Sequence, residues 1–187
     1  SNVIKNFKIN DNIVFKSIFD HFGIKKKLTI SDLGYLIGPI INSGGRLGYS
    51  NYGIELLITD NPKMIKKKII ELIKLNEKRK SLEQNILDEI DYDEIKKRNQ
   101  NIIIYYNPNI SEGLIGIIAA RLKDYFNKPS IVLTKTNNIL KGSARSTTNY
   151  NIGSLIKILI DKNIIKKGGG HNICLLYTSD AADDRNC

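Results

Sequence analysis

Three short runs of small and cationic residues are the parts of this sequence whose chemistry could act on a ligand. The first, residues 42–48, reads Asn-Ser-Gly-Gly-Arg-Leu-Gly. Consecutive glycines such as Gly45 can present backbone N–H groups in a concave anion nest, and Arg46 can clamp a phosphate with two hydrogen bonds. Asn42 opens the run. The run as a whole matches neither common phosphate-loop spacing, so a helix-ending loop with a surface arginine is the alternative interpretation.

The second run, residues 142–146, reads Gly-Ser-Ala-Arg-Ser. Its small residues keep a strand surface open, Ser143 offers a hydroxyl and Arg145 a planar cation. An edge strand with a solvated arginine is the alternative. The chain before residue 174 holds five arginines beside 23 lysines, and two of those five lie in these runs. In so lysine-rich a sequence, arginine should persist mainly where the geometry of its guanidinium matters.

The third run, residues 168–171, reads Gly-Gly-Gly-His. Glycines at 169 and 170 let a chain pass close to the backbone of a ligand, and His171 could donate to a phosphate or a base. A helix C-cap followed by an ordinary histidine explains the run equally well. His21 and His171 are the only histidines and no carboxylate cluster lies near either in sequence. We therefore predict no metal site in this chain.

The composition of the chain favours a polyanionic partner without proving one. The formal net charge is +10, from 29 basic and 19 acidic residues, which suits nucleic acid. However, 34 isoleucines and 21 asparagines accompany the lysines, and an AT-rich genome produces this set whatever the protein binds. Both cysteines lie at or after position 174, which excludes a disulfide framework and a cysteine zinc site from the body. We expect a cytoplasmic protein with no membrane span.

The first hundred residues predict helices. An apolar-periodic segment spans 13–22, Ser31 could cap a further helix, and the glycine-rich runs from 38 to 45 should interrupt the pattern. Asn61 before Pro62 is a strong helix start, followed by apolar residues at steps of three, four and seven. We assign residues 1–59 to the end of one domain. Residues 60–99 are predicted to form a long connector helix.

Beyond the connector the pattern changes to that of a small α/β domain over residues 100–173. The predicted elements are a strand, a helix, a two-stranded hairpin turning at Asn137-Asn138 and a second helix, at 101–106, 114–122, 130–146 and 152–159. Residues 174–187 contain neither lysine nor isoleucine and resemble a translated sequencing adapter. We predict a non-native tail there, exclude it from the fold, and expect the domain to be incomplete after about Ile173.

The order of these runs resembles the RecJ family of exonucleases, with DHH and DHHA1 domains. Residues 38–48 (Gly-Pro-Ile-Ile-Asn-Ser-Gly-Gly-Arg-Leu-Gly) are similar to the segment that closes the family's DHH domain. Residues 111–122, 141–146 and 169–171 are similar to its DHHA1 domain. The resemblance covers roughly residues 28–173. It implies a C-terminal fragment with the α/β fold of the family: the end of a DHH domain, a connector helix and a truncated DHHA1 domain.

The resemblance also implies a function, namely 5′-to-3′ hydrolysis of single-stranded DNA in repair and recombination. In the whole enzyme, Mn²⁺ or Mg²⁺ would be held by Asp and His residues outside this fragment. No Asp-His-His run occurs here, so the fragment alone should be inactive. The resemblance implies a role in binding single-stranded DNA for eight residues. They are Asn42, Gly45, Arg46, Ser143, Arg145, Gly169, Gly170 and His171.

The sequence departs from the family pattern at two places, and three alternative functions stand beside this interpretation. Ile40 stands where the family usually has arginine, and Ser111-Glu112 replaces an aromatic-His-Pro run. A DHH-type oligoribonuclease or nucleotide phosphatase, and a DHHA1 domain of a tRNA-editing enzyme, would share the superfamily. A non-catalytic single-strand-binding scaffold is the alternative from another class. The sequence does not reveal protein partners.

Overall fold

The computed structural model describes the backbone of residues 9–171 and 174–180, and the side chains of residue 9 and residues 11–169. The chain divides into two compact units between Leu82 and Glu83. The first unit is helical. It begins with a 3₁₀ turn at Ile9–Asp11 and contains a π turn at Leu33–Ile37. Its α-helices are α1 (Ile13–His21), α2 (Ile30–Asp32), α3 (Gly38–Arg46), α4 (Asn51–Ile58) and the part of α5 (Pro62–Asp88) that precedes Glu83.

Helix α2 begins two residues earlier than the sequence suggested. Thr29, not Ser31, is its cap, and a capping box joins Thr29 to Asp32. The Asp32 carboxylate accepts hydrogen bonds from the Thr29 backbone N–H at 2.9 Å and from Lys26 Nζ at 2.8 Å. The prediction for Ser31 is therefore wrong, because the box needs an acid three residues after the cap.

The hydrogen bond from Lys26, and then that from the Thr29 hydroxyl, lower the pKa of Asp32 below its usual value. The stabilisation it provides is therefore present above the unfolded-state pKa of about 3.9 and is lost as the pH falls through the folded-state pKa. We expect Asp32→Asn to lower the free energy of unfolding by about 1 kcal/mol at pH 7, and by less at pH 3. Urea unfolding at both pH values measures this. An equal loss at both would contradict the titration argument.

Residues 38–46 form one uninterrupted helix, so the predicted breaks at its glycines are wrong. Two glycines, Gly44 in this helix and Gly53 in α4, permit close packing. A Cβ on Gly44 would lie 2.6 Å from the backbone oxygen of Tyr49, and one on Gly53 would lie 2.6 Å from that of Ile41. Helix α3 and the segment that follows it, including α4, can approach this closely only because both positions lack a side chain.

Helix α5 confirms the predicted start at Asn61. The Asn61 side-chain oxygen accepts from the backbone N–H groups of Lys63 and Met64, at 3.0 and 3.3 Å. The helix has 27 residues, which at ~1.5 Å per residue is about 40 Å. Its first half packs into the core of the first unit through buried side chains. They are Ile65, Ile69, Leu72 and Ile73.

The second unit has a five-stranded sheet with helices on both faces. Its elements are α6 (Tyr92–Lys97), β1 (Ile103–Tyr106), α7 (Glu112–Phe126), β2 (Ser130–Thr136), β3 (Ile139–Arg145), α8 (Ile152–Asp161), β4 (Lys167–His171) and β5 (Cys174–Asp180). The strand order is β1-β2-β3-β5-β4, with β1 parallel to β2 and the other pairs antiparallel. The predicted α/β fold is confirmed. So is the hairpin turn, where Asn137 and Asn138 have φ of 51° and 63°.

Alternate residues of β2 and β3 face opposite helices. Ile131 and Ala144 pack in one apolar cluster with Ile152 and Ile156 of α8. Because side chains alternate along a strand, Ser143 and its alternate neighbours face the other side, where α7 packs. The α7 face of β3 is thus the polar one.

Residues 174–180 form strand β5, which pairs with β3 along its whole length. Residues 174–178 of β5 also pair with β4. Their exclusion from the fold is therefore wrong, and so is the expectation that the fold ends near Ile173. The unusual composition of residues 174–187 does not prevent this pairing, because the hydrogen bonds between strands are made by backbone groups that every residue except proline carries. The non-native origin of residues 174–187 stays a prediction, and residues 181–187 lie outside the described part of the chain.

Candidate nucleic-acid interface

Arg145 ends strand β3 on the face that carries α7. Its Nη1 donates hydrogen bonds to Ser143 Oγ at 2.9 Å and to the backbone oxygen of Ala144 at 2.8 Å. Ser143 is fully buried, whereas Arg145 is half-buried. Within the described residues the guanidinium contacts no carboxylate. Among the described residues its charge therefore has no carboxylate partner, and its two hydrogen bonds fix its orientation, which suits a bidentate contact with an anion.

Gly116 of α7 provides the space in which this guanidinium lies. A Cβ at Gly116 would be 2.8 Å from Arg145 Nη2 and 3.2 Å from Ser143 Oγ. The sequence analysis missed this contact between Gly116 and Arg145. Helical spacing alone cannot show which residue of a crossing strand a given helix position meets.

Lys141 shares this face of β3 but forms an ion pair. Its Nζ lies 2.6 Å from Glu112 Oε2, at the first residue of α7. Glu112 is one of the residues at which the sequence departs from the family pattern, and here it balances the charge of Lys141. The two cations of the strand are therefore not equivalent, because among the described residues Lys141 has a carboxylate partner and Arg145 has none.

Strand β4 contains the predicted run of glycines and His171. Residue 171 of β4 lies opposite Cys174 of β5, and Cys174 lies opposite Arg145 of β3. In the same way, Gly169 of β4 and Ser143 of β3 lie on either side of one β5 residue. With β5 between them, the paired positions are about 10 Å apart. The sheet therefore brings Ser143, Arg145, Gly169, Gly170 and His171 to one end, with β4 at an edge. Space around Gly169 is open. The His171 side chain lies outside the described residues.

Asn42, Gly45 and Arg46 lie in the first unit, on the exposed face of α3. An anion nest is excluded there, because α-helical backbone N–H groups bond within the helix. The opposite face of α3 is buried, and Ser43 Oγ lies 2.7 Å from the Ile40 oxygen and 2.9 Å from that of Leu72. Ile40 is 1% exposed, in the core.

Gly116→Ala should displace the Arg145 guanidinium, since the new methyl group would lie 2.8 Å from Nη2. We expect a roughly fivefold to tenfold loss of anion affinity, about 1–1.4 kcal/mol, because the arginine remains but leaves its fixed orientation. A titration with 5′-phosphorylated single-stranded DNA measures it. The double variant Gly116→Ala/Arg145→Ala should bind no more weakly than Arg145→Ala alone. Fully additive losses would contradict a shared role.

The described residues contain no group of three or more His, Cys, Asp or Glu side chains that could hold a metal ion. None of the described helices is long and apolar enough to cross a membrane.

Comparison with known proteins gives a family match within the second unit. Residues 99–174 match the DHHA1 domain, so the sheet that carries Arg145 defines a DHHA1-containing protein. The chain is also a homologue of the RecJ exonucleases over most of its length. It is 32% identical over 160 residues to the single-stranded-DNA-specific exonuclease RecJ of Haemophilus influenzae, and 32% identical over 154 residues to that of Escherichia coli. The resemblance seen in the sequence is confirmed.

The chain spans about a quarter of these relatives, since each match covers 78% of this chain and 27% of the relative. The fold agrees as well. The structure of RecJ from Thermus thermophilus in complex with Mg²⁺ superposes with a TM-score of 0.74 at 22% identity. It covers 91% of this chain and 26% of that one. Another structure of the same protein was solved with Mn²⁺.

Proposed function

We propose that this chain is the nucleic-acid-binding, C-terminal part of a 5′-to-3′ single-stranded-DNA exonuclease that acts in DNA repair and recombination. The observation that supports it best is the Arg145 guanidinium, which has no carboxylate partner among the described residues and is seated on Gly116 and Ser143 within a DHHA1 domain. The net charge of +10 adds a long-range attraction for a polyanion. Homology to RecJ selects single-stranded DNA among polyanions.

In this proposal each part of the chain has a distinct role. Residues 1–59 close the catalytic domain, residues 60–99 connect, and residues 100–173 bind the substrate. Arg145, Ser143 and the β4 residues Gly169, Gly170 and His171 form one contact region, and Asn42, Gly45 and Arg46 form another. Mn²⁺ or Mg²⁺ in the whole enzyme would be held by residues outside this chain. The location proposed is the cytoplasm.

The first test uses the 187-residue chain itself. We expect it to bind 5′-phosphorylated single-stranded DNA weakly, more weakly as salt is raised, and to hydrolyse none of it with Mn²⁺ or Mg²⁺. Fluorescence anisotropy and gel analysis of the same samples measure both properties. Metal-dependent trimming by the pure chain would contradict the assignment of the metal ligands to another part of the protein.

The second test separates an exonuclease from a binding scaffold and from the other phosphoesterase activities. The product of the complete native gene should shorten single-stranded DNA from its 5′ end with Mn²⁺, and EDTA should stop the reaction. Single-stranded RNA of the same sequence and a dinucleotide are the controls. Binding without cleavage would indicate a scaffold, whereas a preference for the dinucleotide would indicate an oligoribonuclease or phosphatase.

A further inference from the structure

Lys141 is the second cation on the α7 face of strand β3. It precedes Arg145 by four residues of the strand, so the two Cα atoms lie about 13 Å apart on one side of the sheet. Lys141 Nζ donates a hydrogen bond to Glu112 Oε2 at 2.6 Å. The Lys141 and Glu112 side chains are 25% and 51% exposed, so solvent and a ligand can reach the pair. Lys141 therefore already binds an anionic group, the carboxylate of a residue in the same chain.

The ion pair between Lys141 and Glu112 is of a kind that a ligand can exchange. A lysine–carboxylate pair that lies partly in solvent changes an equilibrium constant by a factor of about two to five. The lysine ammonium is a compact charge on a flexible stem, so it can turn to another acceptor without moving the strand. Arg145 differs in this respect, since two hydrogen bonds fix its guanidinium. A phosphate that reaches Lys141 therefore has a single carboxylate to displace.

We propose that Lys141 is a second phosphate contact and that Glu112 competes with nucleic acid for it. A single strand that has one phosphate at Arg145 and follows β3 brings a later phosphodiester to Lys141. The ammonium then donates its hydrogen bond to a phosphate oxygen instead of the Glu112 carboxylate. Glu112 lowers the affinity, because this ion pair must break before the second contact forms. The inference rests on the proposed function in taking single-stranded DNA as the ligand, and the family resemblance assigns no role to Lys141 or Glu112.

The test compares a ligand that has one phosphate with a ligand that has many. Fluorescence anisotropy gives the Kd of the 187-residue chain for a 5′-phosphorylated oligothymidylate, and competition gives that for thymidine 5′-monophosphate. Lys141→Ala should weaken binding of the oligonucleotide about threefold to tenfold. Glu112→Gln should tighten it about twofold to fivefold, because the competing charge is removed. Neither variant should change the Kd of the monophosphate by more than about twofold, since its one phosphate binds at Arg145.

Lys135→Ala is the matched control for charge. Lys135 lies on the neighbouring strand β2, opposite Leu140, so its side chain points to the other face of the sheet. Removing it takes away the same charge without touching the α7 face, and we expect a change of less than about twofold in either Kd. Lys141→Ala and Glu112→Gln both break the same ion pair. A common loss of stability therefore cannot account for effects on affinity that have opposite signs.

Equal oligonucleotide affinity of Lys141→Ala and Lys135→Ala would overturn the inference, and the ion pair would then only hold α7 on the sheet. A Glu112→Gln variant that binds the oligonucleotide no more tightly than the unmodified chain would also overturn it. Loss of affinity in Arg145→Ala, with no change in Lys141→Ala, would defeat this inference and leave the proposed function standing. A chain that bound no oligonucleotide at all would defeat the proposed function and this inference together.

Discussion

Arg145→Ala is expected to weaken the binding of 5′-phosphorylated single-stranded DNA by about tenfold to hundredfold. A charge-assisted hydrogen-bonded contact contributes roughly 1.5–3 kcal/mol, which corresponds to that range. The guanidinium is held by Ser143 Oγ and the Ala144 oxygen through Nη1, so its orientation is fixed before a ligand binds. Loss of one phosphate contact should also reduce the slope of log K against log salt by about 0.7 for a single strand.

Two variants separate the geometry of Arg145 from its charge. Arg145→Lys keeps the charge but loses the planar fork, so most of the loss in affinity should remain. Arg98→Ala removes the same charge from the same unit at an exposed arginine that pairs with Glu94, and should change affinity less than threefold, a difference of about 0.6 kcal/mol. Titrations of all three at several salt concentrations provide the measurement. If Arg145→Ala and Arg98→Ala bound equally well, Arg145 would be no more than a strand residue in solvent.

The stability of the Arg145→Ala variant should fall only slightly. The two hydrogen bonds that it removes join a charged donor to neutral acceptors, and Arg145 remains half in solvent. We expect a loss of about 1 kcal/mol in the free energy of unfolding. An unfolded variant would make any binding loss uninformative, so circular dichroism accompanies the titration.

The sequence predicted those elements whose signals lie within a few residues. Asn61 before Pro62 marked the start of α5, and Asn137-Asn138 marked a hairpin, because each signal is a local backbone preference. The α/β pattern of the second unit followed from apolar runs of strand and helix length. A spacing of two residues puts Ser143 and Arg145 on one face of a strand, and the hydrogen bond between them agrees.

The sequence predictions were wrong or incomplete where contacts between distant parts of the chain determine the structure. Glycines at 44 and 45 predict a break in the helix, yet the close approach of Tyr49 accounts for Gly44 within an unbroken helix. Composition argued against strand β5, although backbone pairing does not depend on composition. Gly116 could not be linked to Arg145, since no local pattern tells which helix residue crosses which strand position. These are properties of packing, which a single sequence encodes only indirectly.

Gly44 and Gly45 are adjacent in α3, and alanine at the two positions should have opposite effects. A Cβ at Gly44 would lie 2.6 Å from the Tyr49 backbone oxygen and 3.2 Å from Tyr52 Cβ, whereas one at Gly45 would meet nothing within 4 Å. Gly44→Ala must therefore force the segment after α3 away, at a cost of about 1–3 kcal/mol. Gly45→Ala should stabilise the helix by roughly 0.5–1 kcal/mol, because alanine loses less backbone entropy on folding.

Native-state hydrogen exchange of the buried amides of α3 and α5 reports this difference for the first unit alone. Gly45→Ala is the matched control, since it adds the same methyl group to the same helix one residue away. It also tests the interface, because Gly45 lies on the exposed face with Asn42 and Arg46. If DNA approaches the backbone there, Gly45→Ala should lower affinity while raising stability. Equal protection factors for the two variants would mean that α3 and the residues after it are packed less closely than the 2.6 Å approach requires.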